Sequence, residues 1–170
     1  MFVIFGGLPG AGKTTIARAL AERLRAMYLR IDTIEQAIRS SNVLPPQADM
    51  GPAGYFVAYQ LAADNLRIGR TVVVDSVNPD SLTRDAYRAV AEHEGVRFLE
   101  VEVVCSDKAG HRKRIEMRKS DISGFVLPTW QSVVDRTYES WDRPHLVLDT
   151  ASLSAAECLD KIMSALPSQN

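Results

Sequence analysis

Gly7-Leu-Pro-Gly-Ala-Gly12-Lys13-Thr14 is a complete G-x-x-x-x-G-K-[ST] motif, and it separates an apolar run from a stretch of helical composition. Phe2-Val3-Ile4-Phe5 precedes the motif, and residues 14–24 follow it with apolar side chains on one helical face. This order predicts a strand, a tight turn and a helix. Glycines in such a turn let several backbone N–H groups converge on phosphate, and the N-terminus of the helix faces the same anion. The motif in this setting predicts a phosphate-binding loop.

The loop is expected to contact a nucleotide through both backbone and side chains. Lys13 is predicted to reach the β- and γ-phosphates, and the hydroxyl of Thr14 is predicted to ligate Mg²⁺. The residues predicted to bind the nucleotide are Gly7, Leu8, Pro9, Gly10, Ala11, Gly12, Lys13, Thr14 and Thr15. The expected cofactors are therefore ATP and Mg²⁺. A glycine-rich turn that matches by chance is the alternative, and the strand and helix on either side argue against it.

Length and composition are those of one ordinary globular domain. The chain has 170 residues, of which 46% are hydrophobic and 24% charged, and its formal net charge is −1. A chain of this size can bury a substantial core, and a nearly neutral charge gives no long-range attraction to nucleic acid or to a membrane surface. We expect a single domain over residues 1–170, a monomer or homodimer, with a small molecule rather than nucleic acid or membrane as its partner.

The cysteines and the apolar runs bear on the compartment. Cys105 and Cys158 are far apart in apolar surroundings, which predicts buried thiols in a reducing compartment. The short apolar start has no basic n-region and leads directly into the loop, so we expect a core strand rather than a signal peptide. No apolar stretch approaches the length of about 18 residues that a membrane span needs. A cytoplasmic location is expected.

Strand and helix patterns alternate along the whole chain. Further strands are predicted over residues 27–31, 71–75, 96–105 and 145–149, and further helices over 34–39, 54–68, 80–94, 106–119, 129–141 and 154–166. The face of the 80–94 helix that is predicted to be buried carries Leu82, Ala86, Ala89 and Val90. The alternation predicts a three-layer α/β fold, with a five-stranded parallel sheet and helices on both faces. Because ligands bind at the carboxyl ends of such strands, strand-end residues are the candidates for function.

These features together resemble the small P-loop kinases. The residues that carry the resemblance are the phosphate loop, Ile31-Asp32, Val74-Asp75 and an Arg-rich segment before a short loop. The similar group includes chloramphenicol phosphotransferase, zeta toxins, gluconate kinase and the kinase domain of polynucleotide kinases, and the resemblance covers nearly the whole chain. It implies a P-loop NTPase fold with a small lid, here about residues 108–128. It also implies transfer of the γ-phosphoryl group of ATP to a hydroxyl.

Two acids at strand ends acquire roles from this resemblance. In that group the acid ending the second strand is the base that faces the acceptor hydroxyl, which by position is Asp32. A carboxylate there can orient the hydroxyl and take its proton. Asp75 matches the acid that holds Mg²⁺ through water. The alternative for each acid is an N-cap or turn residue.

Basic charge is concentrated in residues 108–119. Arg114 and Arg118 are four residues apart, so one helix would carry both guanidiniums on the same face. In adenylate kinases and their relatives such a pair in the lid closes over the transferring phosphates, where Arg neutralises charge on the phosphoryl oxygens. We therefore predict a catalytic lid role for both. A solvated basic face is the alternative, which the spacing of Arg112 and Glu116 supports.

The acceptor is predicted from the residue that follows Asp32 by three positions. Many kinases with phosphorylated acceptors place an Arg there, whereas this chain has Glu35. Two carboxylates on one turn would repel a phosphate, so we expect a neutral or cationic acceptor resembling a sugar or an antibiotic. Tyr55, Tyr59 and Asn78 are predicted to contact it together with the two acids, although core packing is the alternative for both tyrosines.

Other function classes are also considered. A GTPase is disfavoured, because the D-x-x-G sequences at 107–110 and 121–124 do not follow the third strand and no N-K-x-D motif occurs. A toxin-like or regulatory ATPase that acts on a sugar nucleotide or a macromolecule stays open. So do a nucleoside or nucleotide kinase and a nucleotide-binding module without catalysis.

Overall fold

A central sheet organises the computed structural model, which describes residues 1–43, 45 and 48–166. The five strands are β1 (Phe2–Gly6), β2 (Met27–Arg30), β3 (Val72–Asp75), β4 (Phe98–Val104) and β5 (Leu146–Asp149). Their order across the sheet is β2-β3-β1-β4-β5, and every neighbouring pair is parallel. The predicted five-stranded parallel sheet is confirmed.

Helices connect the strands. Within the described residues they are α1 (Lys13–Leu24), α2 (Ile31–Ser40), α3 (Ala53–Arg67), α4 (Ser81–His93), α5 (Lys108–Met117), α6 (Trp130–Val134) and α7 (Ala155–Ala165). None of these helices is both long and apolar enough to cross a membrane. The single domain over residues 1–170 stays a prediction, and its last four residues lie outside the described part of the chain.

The alternating side chains of β1 build two cores. Val3 and Phe5 pack on one side of the sheet with α1 and α7, and Phe2 and Ile4 pack on the other side with α3 and α4. All four are fully buried, and burying each such side chain contributes about 1.5–3 kcal/mol. Helices therefore cover both faces of the sheet, as the three-layer fold requires.

The buried face of α4 differs from the predicted one. Leu82 is 79% exposed, while Arg84 and Tyr87 are fully or almost fully buried. The Arg84 guanidinium lies over the rings of Tyr138 and Trp141, at 5.2 and 4.5 Å from their centroids. It donates hydrogen bonds to four backbone carbonyls, those of Asn78, Pro79, Glu139 and Ser140. The inward side of α4 therefore combines the polar contacts of Arg84 with Tyr87 and Ala91, which belong to the apolar core.

The same contacts correct the helix predicted over residues 129–141. α6 ends at Val134. Beyond it, the carbonyls of Glu139 and Ser140 accept from Arg84 instead of from N–H groups of a helix. The chain from 135 to 145 is therefore irregular but firmly attached to α4.

Candidate active site

The phosphate loop has the backbone conformation that its glycines allow. Gly7, Gly10 and Gly12 have φ angles of 130°, 79° and 107°, which side chains of L-residues rarely tolerate. A Cβ on Gly7 would also overlap the carbonyl oxygen of Val103. α1 begins at Lys13, immediately after the loop, so its N-terminal partial positive charge adjoins the loop. The geometry of an anion-binding loop is therefore present.

Neighbouring elements hold the outer side of this loop. His111 donates a hydrogen bond to the carbonyl of Pro9 at 2.7 Å, and the Thr150 hydroxyl donates to the carbonyl of Ala11 at 2.7 Å. Arg114 donates to the hydroxyl and the carbonyl of Thr150, at 2.7 and 2.8 Å. Arg114 thus braces the loop through Thr150.

Arg114 and Arg118 do not share a helical face. The prediction that one helix carries both guanidiniums is therefore wrong. α5 ends at Met117, and Arg118 follows with an extended backbone. Both Arg114 and Arg118 still line the cleft described next. Their side chains differ, because Arg114 is bonded to Thr150 whereas no described residue forms an ion pair with Arg118.

A cleft of about 920 Å³ opens at the carboxyl ends of β1, β2 and β3. Its charged lining residues are eight basic and four acidic ones, namely Lys13, Arg18, Arg30, Arg39, Arg114, Arg118, Lys119, Arg136, Asp32, Glu35, Asp75 and Asp121. We call the part around residues 7–15 and Arg118 the nucleotide half. The part lined by α2, Tyr55 and Arg136 we call the acceptor half, after the role predicted for Asp32, Glu35 and Tyr55. The excess of basic charge suits a polyanion such as a triphosphate.

Lys13 is the buried cation of the nucleotide half. Its Nζ donates to the carbonyl oxygen of Leu8 at 2.9 Å, so the ammonium lies within the span of the loop. Burial lowers the pKa of Lys13 to about 8, while Asp75 and Asp32 oppose that shift. A desolvated ammonium at this position interacts strongly with phosphate oxygens, because little water screens the charge.

Asp75 is held at the end of β3 by a tyrosine. Its Oδ2 accepts a hydrogen bond from the Tyr28 hydroxyl at 2.8 Å, and burial together with this carboxylate raises the pKa of Tyr28 well above its usual value. The N-cap of α4 is Asp80, so the alternative of Asp75 as that cap does not apply. Asp75 and the Thr14 hydroxyl line the same cleft. Both offer oxygen donors, the type that Mg²⁺ prefers.

Asp32 is the second residue of α2 and not the residue that ends β2. β2 ends at Arg30 and α2 begins at Ile31, so the predicted strand over 27–31 is one residue too long. The N-cap of α2 is Arg30, which excludes Asp32 from that capping role. Its carboxylate is 3.7 Å from the Arg30 guanidinium. Burial, followed by the charge of Asp75, raises the pKa of Asp32, which makes the carboxylate a better proton acceptor.

The family follows from comparison with known proteins. The family model described as an AAA domain matches residues 2–138. This chain belongs to the AAA domain family. It is a small P-loop kinase domain with a nucleotide-binding loop, so the family resemblance carried by the motifs is confirmed.

Individual relatives cover nearly the whole chain. An adenylyl-sulfate kinase of Synechococcus sp. (strain JA-3-3Ab) is 29% identical over 98% of this chain and 93% of the relative. The crystal structure of Chaetomium thermophilum Kti12 has a TM-score of 0.71 at 21% identity, covering 99% of this chain and 100% of that one. A gluconokinase from Sinorhizobium meliloti 1021 has a TM-score of 0.61 at 18% identity, covering 95% and 89%. The two structures show the shared fold.

One face of α2 forms a wall of the acceptor half. Asp32, Glu35, Gln36 and Arg39 all line the cleft, at the spacing that places side chains on one side of a helix. The Glu35 side chain lies against Gly54 of α3, where a Cβ would overlap its Cγ. Burial and the charge of Asp32 raise the pKa of Glu35, and the charge of Arg39 acts in the opposite direction.

The three residues predicted to complete the acceptor site have different positions. Tyr55 lines the cleft, and its hydroxyl accepts from the backbone N–H of Asn78 at 3.2 Å. Tyr59 is not among the lining residues and packs edge-on against Tyr87 with ring centroids 4.6 Å apart. Asn78 is fully buried behind the lining. Tyr59 therefore follows the core-packing alternative, and neither Tyr59 nor Asn78 reaches the cleft as predicted.

Arg30 is a site residue that the sequence reasoning missed. Its side chain is 6% exposed and donates to Asp121 at 2.8 Å, while Asp121 also accepts from Arg18 at 2.5 Å. Hydrogen bonds from both arginines hold the pKa of Asp121 well below its usual range. Through Asp121, the predicted lid is thus hydrogen-bonded to Arg18 of α1 and to Arg30 of β2. Arg30 could have been identified from its position near the carboxyl end of a predicted strand, at the sheet edge where ligands bind.

Proposed function

We propose that this chain transfers the γ-phosphoryl group of ATP to a hydroxyl of a small molecule bound in the acceptor half. The observation that supports this most strongly is the position of Asp32. It lines the same cleft as Lys13 and Asp75, and it has a raised pKa. A carboxylate between a phosphate site and an open acceptor wall is placed to accept the hydroxyl proton as the new P–O bond forms.

Each of the other charged residues has a distinct proposed role. Lys13 binds the β- and γ-phosphates, and Arg118 neutralises charge that develops on the transferring group. Thr14 and Asp75, the latter through water, would hold Mg²⁺, which would neutralise negative charge on the phosphates. The relatives named adenylyl-sulfate kinases support phosphotransfer as the reaction class.

The expected neutral or cationic acceptor loses its physical basis in the structure. That expectation rested on Asp32 and Glu35 as two carboxylates on one turn, which would repel a phosphate. Arg39 and Arg136 line the same half of the cleft, and their charges lower the pKa of Glu35 against the larger effect of its burial. An acceptor therefore meets both signs of charge there, and an acidic pair alone does not select it.

The replacement Asp32→Asn tests the proposed reaction. ATP binding, measured by calorimetry, should stay within about two-fold, while phosphoryl transfer should fall by about 10²–10⁴-fold. Transfer is measured as ADP release and by ³¹P NMR of the product, against a panel of polyols, sugar acids, aminoglycosides, nucleosides and nucleotides. Asp160→Asn is the matched control, because Asp160 is exposed on α7 away from the cleft.

Three outcomes contradict this proposal. Full transfer by the Asp32→Asn variant would remove Asp32 as the base. ATP binding without ADP release, whatever acceptor is present, would instead identify a nucleotide-binding module. Phosphorylation of a protein or a sugar nucleotide, with no small hydroxyl compound used, would favour the toxin-like alternative.

A further inference from the structure

Two arginines of the acceptor half have no ion pair with any residue that the structure describes. They are Arg39, at the end of the α2 wall, and Arg136, which follows α6. Both are exposed to the cleft side. Three other cleft arginines are engaged, since Arg18 and Arg30 bind Asp121 and Arg114 binds Thr150, whereas Arg118 belongs to the nucleotide half. The charges of Arg39 and Arg136 are therefore available to a ligand.

Arg136 lines the cleft together with residues of the phosphate loop, α2 and α3. Burial is the largest influence on the pKa values of Lys13, Glu35 and Tyr55, and the charge of Arg136 lowers all three. These residues belong to the phosphate loop, α2 and α3, and all three line the cleft together with Arg136. The charge of Arg39 likewise lowers the pKa of Glu35. The two arginines thus approach Glu35 from different elements.

The backbone that carries Arg136 is fixed in place. Tyr138 donates from its hydroxyl to Glu102 of β4 at 3.0 Å and accepts from the Trp141 indole at 2.9 Å. The buried Arg84 binds the carbonyl of Glu139 at 2.6 Å. A guanidinium on an anchored segment loses less conformational freedom when it binds an anion, which is what a recognition residue requires.

The α2 wall sets an approximate length for the acceptor. Asp32 and Arg39 are seven residues apart, which corresponds to about 10 Å along a helix axis. Glu35 lies between them on the same wall and can accept hydrogen bonds from hydroxyl or ammonium groups. A molecule whose hydroxyl meets Asp32 would therefore extend past Glu35 towards Arg39.

We propose that Arg39 and Arg136 form a subsite for an anionic group of the acceptor. The acceptor is then a hydroxylated small molecule that carries a carboxylate, sulfate or phosphate at the end remote from the reacting hydroxyl. Guanidinium groups bind these anions by paired, charge-assisted hydrogen bonds. The inference rests on the proposed function, because it names the substrate class of the same cleft.

The test compares acceptors that differ in charge and variants that differ in one arginine. The first set is gluconate, glucitol and glucosamine, which are anionic, neutral and cationic. The second set is adenosine, which is neutral, and its anionic 5′-monophosphate. The variants are Arg39→Gln and Arg136→Gln, with Arg70→Gln as the control because Arg70 is exposed outside the cleft. For each we would measure kcat and KM by ADP release. Calorimetry on protein loaded with a non-hydrolysable ATP analogue would measure binding of each acceptor directly.

The anionic member of a set should be the better acceptor, by at least about 10-fold in kcat/KM. Each of Arg39→Gln and Arg136→Gln should raise KM for that anion by about 10- to 100-fold, the range for a lost charge-assisted hydrogen bond. The ratio of anionic to neutral turnover should fall in both variants, and ATP affinity should stay within two-fold. Arg70→Gln should leave all these values unchanged.

Several results would overturn the subsite. Preference for glucitol or glucosamine over gluconate, and for adenosine over its monophosphate, would do so. Loss of ATP affinity in Arg136→Gln without an effect on the acceptor would assign that residue to the nucleotide. The unchanged protein could instead bind the anion, lose that binding in both variants and show no phosphoryl transfer. That result would retain the subsite and refute the proposed reaction.

Discussion

Backbone groups line one half of the cleft and side chains line the other. In the nucleotide half, the ligand surface is backbone in a glycine-dependent conformation, and neighbours such as His111 and Thr150 hold it from outside. In the acceptor half, the surface is a row of side chains on one face of α2, opposite Tyr55 and Arg136. Backbone groups are the same in every chain that has the motif, whereas side chains vary freely. We therefore expect the fold to determine nucleotide binding and a few replaceable side chains to determine the acceptor.

The largest effect is expected from a change in the nucleotide half. Lys13→Ala removes the one buried ammonium of the loop, whose interaction with phosphate is strengthened by desolvation. ATP affinity should fall by at least about 10²-fold and kcat/KM by about 10³-fold or more. Isothermal calorimetry and a coupled ADP assay measure these quantities.

The control for this change is Lys161→Ala, since Lys161 is exposed on α7. Thermal unfolding should show that both variants stay folded, because the deletion removes a desolvated charge rather than core volume. Undiminished ATP turnover in Lys13→Ala would refute the role of the loop and, with it, the contrast between the two halves.

The contrast also explains what sequence alone predicts. The phosphate loop and the parallel sheet depend on local patterns, so the motif and the alternation are sufficient to predict them. The length of α6 depends on Arg84, whose contacts with Glu139 and Ser140 join distant parts of the chain. No local pattern contains that information.

Some site residues can likewise be predicted from local sequence patterns, whereas others depend on distant parts of the chain. Asp75 was predictable because strand ends meet at one edge of a parallel sheet. The charge around Glu35 was not, because Arg136 reaches it from a segment that the sequence pattern assigns to a regular helix. The argument for a neutral or cationic acceptor considered only the carboxylates of Asp32 and Glu35, so it did not include this charge.

An intermediate effect is expected at the lid, where the two arginines should separate. Arg118→Ala should lower kcat by about 10²-fold and change ATP affinity little, since its charge would meet the transferring group mainly in the transition state. Arg114→Ala frees Thr150, which holds the carbonyl of Ala11. It should therefore weaken ATP binding and kcat/KM together, by about 10-fold.

Single-turnover kinetics with calorimetry distinguishes these two patterns. Arg112→Ala is the control, because Arg112 forms an exposed ion pair with Glu116 on the same helix. Such a pair contributes at most about 1 kcal/mol. Equal losses of affinity and rate in both Arg118→Ala and Arg114→Ala would mean that the two residues act alike, as a pair on one helical face would.

The smallest effect should come from a methyl group added behind the acceptor wall. Gly54→Ala places a Cβ where the Cγ of Glu35 now lies. The φ angle of Gly54 is not positive, and alanine favours a helix over glycine by about 1 kcal/mol. The flexible Glu35 side chain, rather than the backbone, should therefore move. We expect a melting temperature that is unchanged or slightly higher, an acceptor KM changed by about three- to ten-fold, and an unchanged ATP affinity.

Gly95→Ala is the matched control for this last prediction. A Cβ there meets nothing within 4 Å, although the φ angle of 63° makes alanine strained. It should lower stability by about 1–2 kcal/mol and leave acceptor KM unchanged. Gly54→Ala should show the reverse, an altered acceptor KM without a loss of stability. If Gly54→Ala instead destabilises the fold and leaves acceptor KM unchanged, then Glu35 does not contact the acceptor. Its contact with Gly54 would then serve the packing of α2 on α3.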